Sequence, residues 1–408
     1  MNRRFAFVFT FSISVIAISG CASAPKQVEV PKLPPAKPEA IEALKDAARL
    51  VRLGSGNYDR ALERLKDAID LDAGLWEAWY DTGYLELQRH HEEEAIAPLE
   101  KAHAILPTHL PTVQALADAY LEAGRAADAV KVLRGWVDKP PPNSPATATA
   151  AARVQLANAL RRANKLDDAT EVLRGVLRAE PRSSTALNAL GMVYEARGQH
   201  ELADLVLHRA LDIAEPKAGT HHEDADKDGR AAADVYNNLG LVALARRRDQ
   251  EAFAHFDAAS RLDPTLTVAR RNKAIVYLDC GDYERAAEEL RGVTKVDPSD
   301  VDAWNALGVA ERGQGKFDAA QKSYEKALAA EPNGPGAADA LYNLVVLQMD
   351  FKKDPAKARA RLDEYMKIAT LGHPRHAEAE ARAKELAKSA PAAAPSPSSQ
   401  LKKPGGQP

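Results

Sequence analysis

Apolar and small residues recur through the middle of this chain at the 3.6-residue spacing of amphipathic helices, and the pattern itself repeats. In residues 301–334, Trp304, Leu307 and Glu311 fall at i, i+3 and i+7, on one stripe of a first helix. Most other segments carry an apolar or aromatic residue at the third place, as Tyr194 and Tyr277 do. Tyr324 and Ala327 lie one turn apart on a second helix, and Pro332, with no N–H to donate, ends it. Gly308 and Ala320 are small where the two helices would cross closely. Gly56, Gly124, Gly198, Gly281 and Gly315 fall in the turn between helices, where a left-handed backbone suits glycine. His90 and Arg247 replace glycine in two units, which predicts turns of a different shape there.

The small alanines Ala61, Ala95, Ala129, Ala169, Ala203, Ala252, Ala286, Ala320 and Ala358 are separated by 34, 34, 40, 34, 49, 34, 34 and 38 residues. Residues 76–109 (Trp79, Gly83, Ala95, Leu99, Ala102, Pro107) match the fullest unit position by position. Residues 233–266 (Tyr236, Leu239, Gly240, Ala252, Phe256, Ala259, Pro264) do the same. A helix-turn-helix period of this length resembles the tetratricopeptide repeat (TPR). The resemblance runs from residue 42 to about 372. It implies an all-α superhelical solenoid of about nine hairpins, five over 42–217 and four over 233–372, sharing one continuous core. The first unit is degenerate, with Lys45 and Arg49 at key places, and residues 373–388 read as a helix capping the open end.

Two inserts break the period. Pro140-Pro141-Pro142-Asn143-Ser144-Pro145 is a loop, and residues 218–232 are acidic and histidine-bearing. Within the second, Asp224, Asp226 and Asp228 alternate ahead of Gly229, as in the first half of a calcium loop. Val235 stands where the closing glutamate belongs, so a solvated acidic insert is the plainer reading. His221 and His222 have no third ligand at a helical spacing.

The N-terminus adds an address. Arg3 and Arg4 precede an apolar run from Phe5 to Ile18, too short to span a bilayer comfortably, so residues 1–20 read as a signal peptide. Ile18-Ser19-Gly20-Cys21 resembles the bacterial lipobox, which implies lipid on Cys21; an ordinary signal peptide cleaved nearby is the alternative. Resemblance to Gram-negative lipoproteins implies the outer membrane, since Ala22 rather than aspartate follows the cysteine. Residues 21–41 form a proline-rich tether reaching roughly 60 Å, and residues 389–408 read as a disordered tail. Cys280 is the only other cysteine, so no intramolecular disulfide is expected; it reads as a small apolar filler.

Good helix formers dominate the composition, aromatics are 6% of the chain, and the net charge is -3, so no basic footprint for nucleic acid is present. HExxH, paired CxxC, GxSxG and phosphate-loop motifs are absent from the sequence. The reading is therefore non-enzymatic, with no cofactor and no small-molecule substrate.

In the TPR family first helices line a concave groove. That implies Asn188, Asn237, Asn238, Arg271, Asn272, Asn305 and Asn343 as groove residues, whose amides can both donate and accept along an extended peptide. A column of asparagine serving only the repeats themselves is the other reading. The two-carboxylate clamp of chaperone-binding relatives is not reproduced: Asn272 matches, but Leu241, Asp302 and Ala306 do not. Arg246-Arg247-Arg248 fits either cation placement at a helix C-terminus or a docking patch for an acidic partner. A narrower resemblance lies in the run from Asn237 to Ala252, continuing to Cys280-Gly281-Asp282-Tyr283. It is similar to the repeat lipoproteins of the myxobacterial adventurous gliding machinery. That implies an outer-membrane scaffold facing the periplasm, with protein partners in an envelope complex. A pilotin-like assembly factor for a secretin, or an accessory domain of a cell-envelope enzyme, are the rival readings.

Overall fold

The computed structural model describes residues 33–215, 229–332, 335–369 and 373–389, and among these no strand occurs. Eighteen helices form nine successive hairpins, as the repeat period predicts. They are α1 (Pro38–Arg52) with α2 (Tyr58–Leu71), α3 (Trp76–Gln88) with α4 (Glu92–Ile105), and α5 (Leu110–Glu122) with α6 (Ala126–Asp138). Next come α7 (Ala146–Arg162) with α8 (Leu166–Ala179), α9 (Ser184–Ala196) with α10 (His200–Ala214), and α11 (Arg230–Ala245) with α12 (Asp249–Leu262). The last three are α13 (Thr267–Asp279) with α14 (Tyr283–Val296), α15 (Val301–Gly313) with α16 (Phe317–Ala330), and α17 (Pro335–Val346) with α18 (Pro355–Ile368). A nineteenth helix, α19 (His376–Ser389), closes the array.

Each hairpin is held by the predicted close crossing. A Cβ placed on Gly308 would meet Tyr324 at 2.4 Å, and one on Gly240 would meet Phe256 at 2.4 Å. Gly83 against Leu99 and Gly191 against Leu207 are as tight, at 2.5 and 2.6 Å. Ala95, Ala129, Ala169, Ala203, Ala252, Ala286, Ala320 and Ala358 are fully buried beside these crossings. The tryptophans do more than pack. Trp79 Nε1 donates to the carbonyl of Ala73 and Trp304 Nε1 to that of Pro298, each tying a first helix to the connection before it.

Three expectations about backbone are corrected. In the first hairpin the left-handed residue is Gly54, at φ +105°, while Gly56 sits in a short 3₁₀ turn (Ser55–Asn57). His90 and Arg247 do not reshape their turns: they take φ +58° and +57°, close to Gly124, Gly198, Gly281 and Gly315, and Asn164 and Lys353 do likewise. Helix α1 begins at Pro38, inside the stretch assigned to the tether, because proline suits the first turn of a helix.

The connections are capped locally. Ser183, Asp282, Asp300 and Asp354 accept from the backbone N–H three residues on. At the far end α19 packs on the last hairpin, burying Ala379 and Leu386. Tyr342 Oη donates to Glu378, and Arg382 forks onto Asp350 at 3.0 and 2.8 Å. A polar cap over an apolar end is what a stack needs to stop.

Candidate functional site

Successive first helices touch one another, α5 with α7, α7 with α9, α9 with α11 and α15 with α17, whereas successive second helices make no contact of that extent. The first helices therefore lie on the inside of the bend and form its inner wall.

The predicted asparagines sit on that wall, and they bond to each other. Asn238 Nδ2 donates to Asn188 Oδ1 at 2.9 Å, Asn272 to Asn237 at 2.9 Å, and Asn343 to Asn305 at 3.0 Å. The result is a discontinuous amide ladder between neighbouring first helices. Asn305 also donates to the carbonyl of Gly336 at 3.5 Å, and Arg375 reaches Asn343 at 3.4 Å. Asn237, Asn305 and Asn343 are buried, while Asn188, Asn238 and Asn272 are half-buried. A primary amide has two donor hydrogens and two acceptor sites, so each half-buried member keeps capacity toward the open side. Arg271 is held elsewhere: its Nη1 lies 2.6 and 2.7 Å from the two carboxylate oxygens of Asp300, and 3.7 Å from Asp302.

One turn beyond the ladder runs an apolar stripe that the asparagine column obscured. Met192, Leu241, Ile275, Val309 and Val346 occupy the ninth place of hairpins five to nine, three or four residues after Asn188, Asn238, Asn272, Asn305 and Asn343. That spacing puts them on the same helix face. Ile275 is 37% exposed and the others are half-buried. The recurrence of apolar residues at a place facing away from the hairpin core was the signal in the sequence.

At the N-terminal end the wall is aromatic and acidic. The Trp76 and His109 rings lie 4.4 Å apart, and Tyr80 meets His109 edge-on. Burial pushes the His109 imidazole down to about 4, and His109 Nδ1 lies 2.8 Å from Thr112 Oγ1. Asp81 has no hydrogen-bond partner among the described residues; burial, then the charge of Glu77, pushes its carboxyl up to about 7.

Beneath the wall, Lys273 stands where Leu239 and Leu307 stand in the flanking hairpins. It is 8% exposed and bonds to Asp257 (3.3 Å) and Glu289 (2.6 Å), with Arg270 on the second oxygen of Glu289. Burial opposes the ammonium charge, but the bonds to Glu289 and Asp257 outweigh it and hold its pKa up. This network ties α12, α13 and α14 together and was not read from the sequence.

The remaining expectations sort as follows. Cys280 is exposed at the end of α13, so it is not an apolar filler: its place lies past the last buried turn of that helix. Arg246 faces Glu201 and Asp204, and Arg248 pairs with Glu251, so two of the three arginines are engaged within the protein. Cys21, His221, His222, Asp224, Asp226 and Asp228 lie outside the described residues. Among the described residues no group of three His, Cys, Asp or Glu is placed to hold a metal ion, and no helix is long and apolar enough to cross a membrane.

Comparison with known proteins gives the family. A tetratricopeptide repeat model matches residues 50–109, 154–218, 271–320 and 306–370, which is more than half of the chain, and a second one matches 86–154. The heat-shock protein cognate co-chaperone sgt12 of Aspergillus fumigatus is 30% identical over 126 residues, 31% of this chain and 35% of that protein. The peroxisomal targeting signal receptor of Kluyveromyces lactis is 23% identical over 224 residues, 55% of this chain and 36% of the receptor. The chain thus spans about a third of the length of these relatives. The Cut9-Hcn1 hetero-tetramer of the APC/C has a similar fold, with a TM-score of 0.50 at 16% identity over 85% of this chain and 76% of that one. The chain belongs to the tetratricopeptide repeat family, whose members serve as protein-interaction scaffolds.

Proposed function

We propose that this protein is a non-catalytic scaffold of an outer-membrane envelope complex, anchored through lipid on Cys21 and holding a partner segment against its inner wall. The observation that carries the reading is the juxtaposition on α9, α11 and α13 of half-free amides (Asn188, Asn238, Asn272) with an apolar stripe (Met192, Leu241, Ile275). An extended or helical segment seats its apolar side chains on the stripe while its backbone or polar groups meet the amides. Each fully buried partner side chain contributes roughly 1.5–3 kcal/mol. Two or three such anchors contribute roughly 3–9 kcal/mol before the cost of ordering the segment, so the amide bonds must add to them and binding no tighter than micromolar, about 8 kcal/mol, is expected. The relatives named as a co-chaperone and a targeting signal receptor support a binding role. The lipobox-like Ile18–Cys21 and the resemblance to gliding-machinery lipoproteins support the address and the envelope partner.

The test is a photo-crosslinking residue at Ile275, compared with one at the exposed Leu205 of second helix α10, in intact cells. Discrete envelope-protein adducts from position 275 alone support the reading, and adducts confined to position 205 sink it. Cys21→Ser moves the protein out of the membrane fraction; retention there by the variant refutes the anchor.

A further inference from the structure

The inner wall changes chemistry along its length. Its ninth place, apolar from hairpin five to hairpin nine, is Tyr84 in hairpin two and Asp118 in hairpin three. The second, fifth, sixth, ninth and twelfth places of these two hairpins hold three carboxylates, Glu77, Asp81 and Asp118, and no lysine or arginine. The basic group packed there, His109, is kept neutral by burial. On the carboxylates' own helix α3, Tyr80 and Tyr84 stand one turn apart and nearly parallel, with ring centroids 5.8 Å apart and planes at 26°.

The amide ladder also fails at this end. Asp81 holds the sixth place of its hairpin, and Asp46 of α1 the fifth place of the hairpin before, as Asn272 and Asn237 do where they bond. An ionised carboxylate has no hydrogen to give, so this rung cannot close. Asp46 turns to Arg49 instead, at 2.9 Å, and Asp81 has neither an ion pair nor a hydrogen bond among the described residues. A half-buried charge in that state costs stability that an asparagine would not. Asp118 is only partly engaged: Oδ1 accepts from Gln155 Nε2 at 2.7 Å, while Arg162 is taken by Glu122 at 2.8 Å.

We infer that the wall of hairpins two and three binds an arginine-bearing segment of a partner protein, one guanidinium lying on Asp81 against the Tyr80–Tyr84 pair. The site is separate from the stripe of hairpins five to nine and stands or falls without it. Charge complementarity selects the occupant. Carboxylates with no cation of their own attract a basic segment and repel an acidic or phosphorylated one. The aromatic faces narrow the choice further: a guanidinium forks onto a carboxylate and lies flat on a ring, whereas an ammonium is a point charge that stays more strongly hydrated.

The probe is a fluorescent, end-capped peptide of alternating arginine and serine, titrated by anisotropy into the full chain with Cys21→Ser. At pH 8 the Asp81 carboxyl is charged. The expected result is saturable binding that weakens when lysine replaces arginine and is lost when citrulline does. Asp81→Asn, which removes a charge-assisted bond without loss of fold, should weaken it about tenfold. Tyr84→Leu should weaken it about 2- to 5-fold, and Asp363→Asn, on the exposed face of α18, should leave it unchanged. Parent affinity in Asp81→Asn, an equal loss in Asp363→Asn, or equal binding of the citrulline peptide overturns the site. A severalfold gain on changing both Lys402→Glu and Lys403→Glu would make the chain's own tail the occupant and overturns the partner.

Discussion

Glycine-to-alanine substitutions at two helical positions should change stability in opposite directions. In α11, a Cβ on Gly240 would lie 2.4, 2.6 and 2.8 Å from Cε1, Cδ1 and Cζ of Phe256. That ring is 0% exposed, enclosed on all sides by the protein. Overpacking of this kind costs about 1–3 kcal/mol, while alanine gains about 1 kcal/mol over glycine in a helix interior. Three ring atoms this close put the cost at the upper end of that range, about 2–3 kcal/mol, so the net expectation for Gly240→Ala is a loss of about 1–2 kcal/mol. In α8, a Cβ on Gly175 meets nothing within 4 Å, so the helix gain of about 1 kcal/mol stands alone. The chain follows the same rule. Both aromatic partners, Phe256 and Tyr324, face glycine, whereas Ala117, Ala157 and Ala274 stand opposite Leu133, Leu173 and Leu290. Urea unfolding followed by helix ellipticity measures the two variants. Because hairpins of a stack open semi-independently, hydrogen exchange in α11–α12 and in α8 localises each effect. Phe256→Leu should rescue Gly240→Ala. The close-crossing argument is refuted if Gly240→Ala is as stable as the parent, or if Phe256→Leu gives no rescue.

Two further predictions concern the inner wall. Asn305→Ala leaves the buried Asn343 Nδ2 without its acceptor and should cost about 1–3 kcal/mol, whereas Asn272→Ala, at a half-buried rung, should cost about 0.5–1.5 kcal/mol. Thermal melts of the two variants check this, and the opposite order refutes it. Asp81→Asn should stabilise the protein at pH 8 and be neutral below pH 4. With the folded carboxyl raised from 3.8 to about 7, the folded chain retains a proton that the unfolded chain gives up across that window, so stability falls as pH rises through it. At about 1.4 kcal/mol per pH unit the ceiling is near 4 kcal/mol, and water on the open wall reduces the gain to the order of 1–2 kcal/mol. A melting difference that stays flat between pH 4 and 8 sinks that account.

How far the sequence carried follows from which contacts are local. Hairpin packing depends on residues twelve to sixteen apart, such as Gly308 with Ala320 and Tyr324, and these repeat often enough to be read directly. The left-handed turns were only half legible. Backbone closure demands positive φ whether the residue is Gly281, Asn164, Arg247 or Lys353, so residue type alone pointed to the wrong glycine in the first hairpin. The wall was harder still. An asparagine reads as a ligand-facing amide until its neighbour on the next first helix is known, and Asn237, Asn305 and Asn343 proved to be buried members of the ladder.

The ladder also explains how the array absorbs its longest insert. Asn188 and Asn238 are 50 residues apart, yet they meet at 2.9 Å; Asn237 and Asn272, only 35 apart, meet at the same distance. A bond of equal length over unequal stretches of chain means that α9 and α11 stack in the register of uninterrupted neighbours. The direct contact between those helices agrees. The wall keeps its register across this longer stretch of sequence, because stacking is set by facing side chains and not by the length of the connection. The same separation of roles applies to the site. Ladder members set the spacing of the first helices, and the stripe beside them, from Met192 to Val346, takes no part in those bonds.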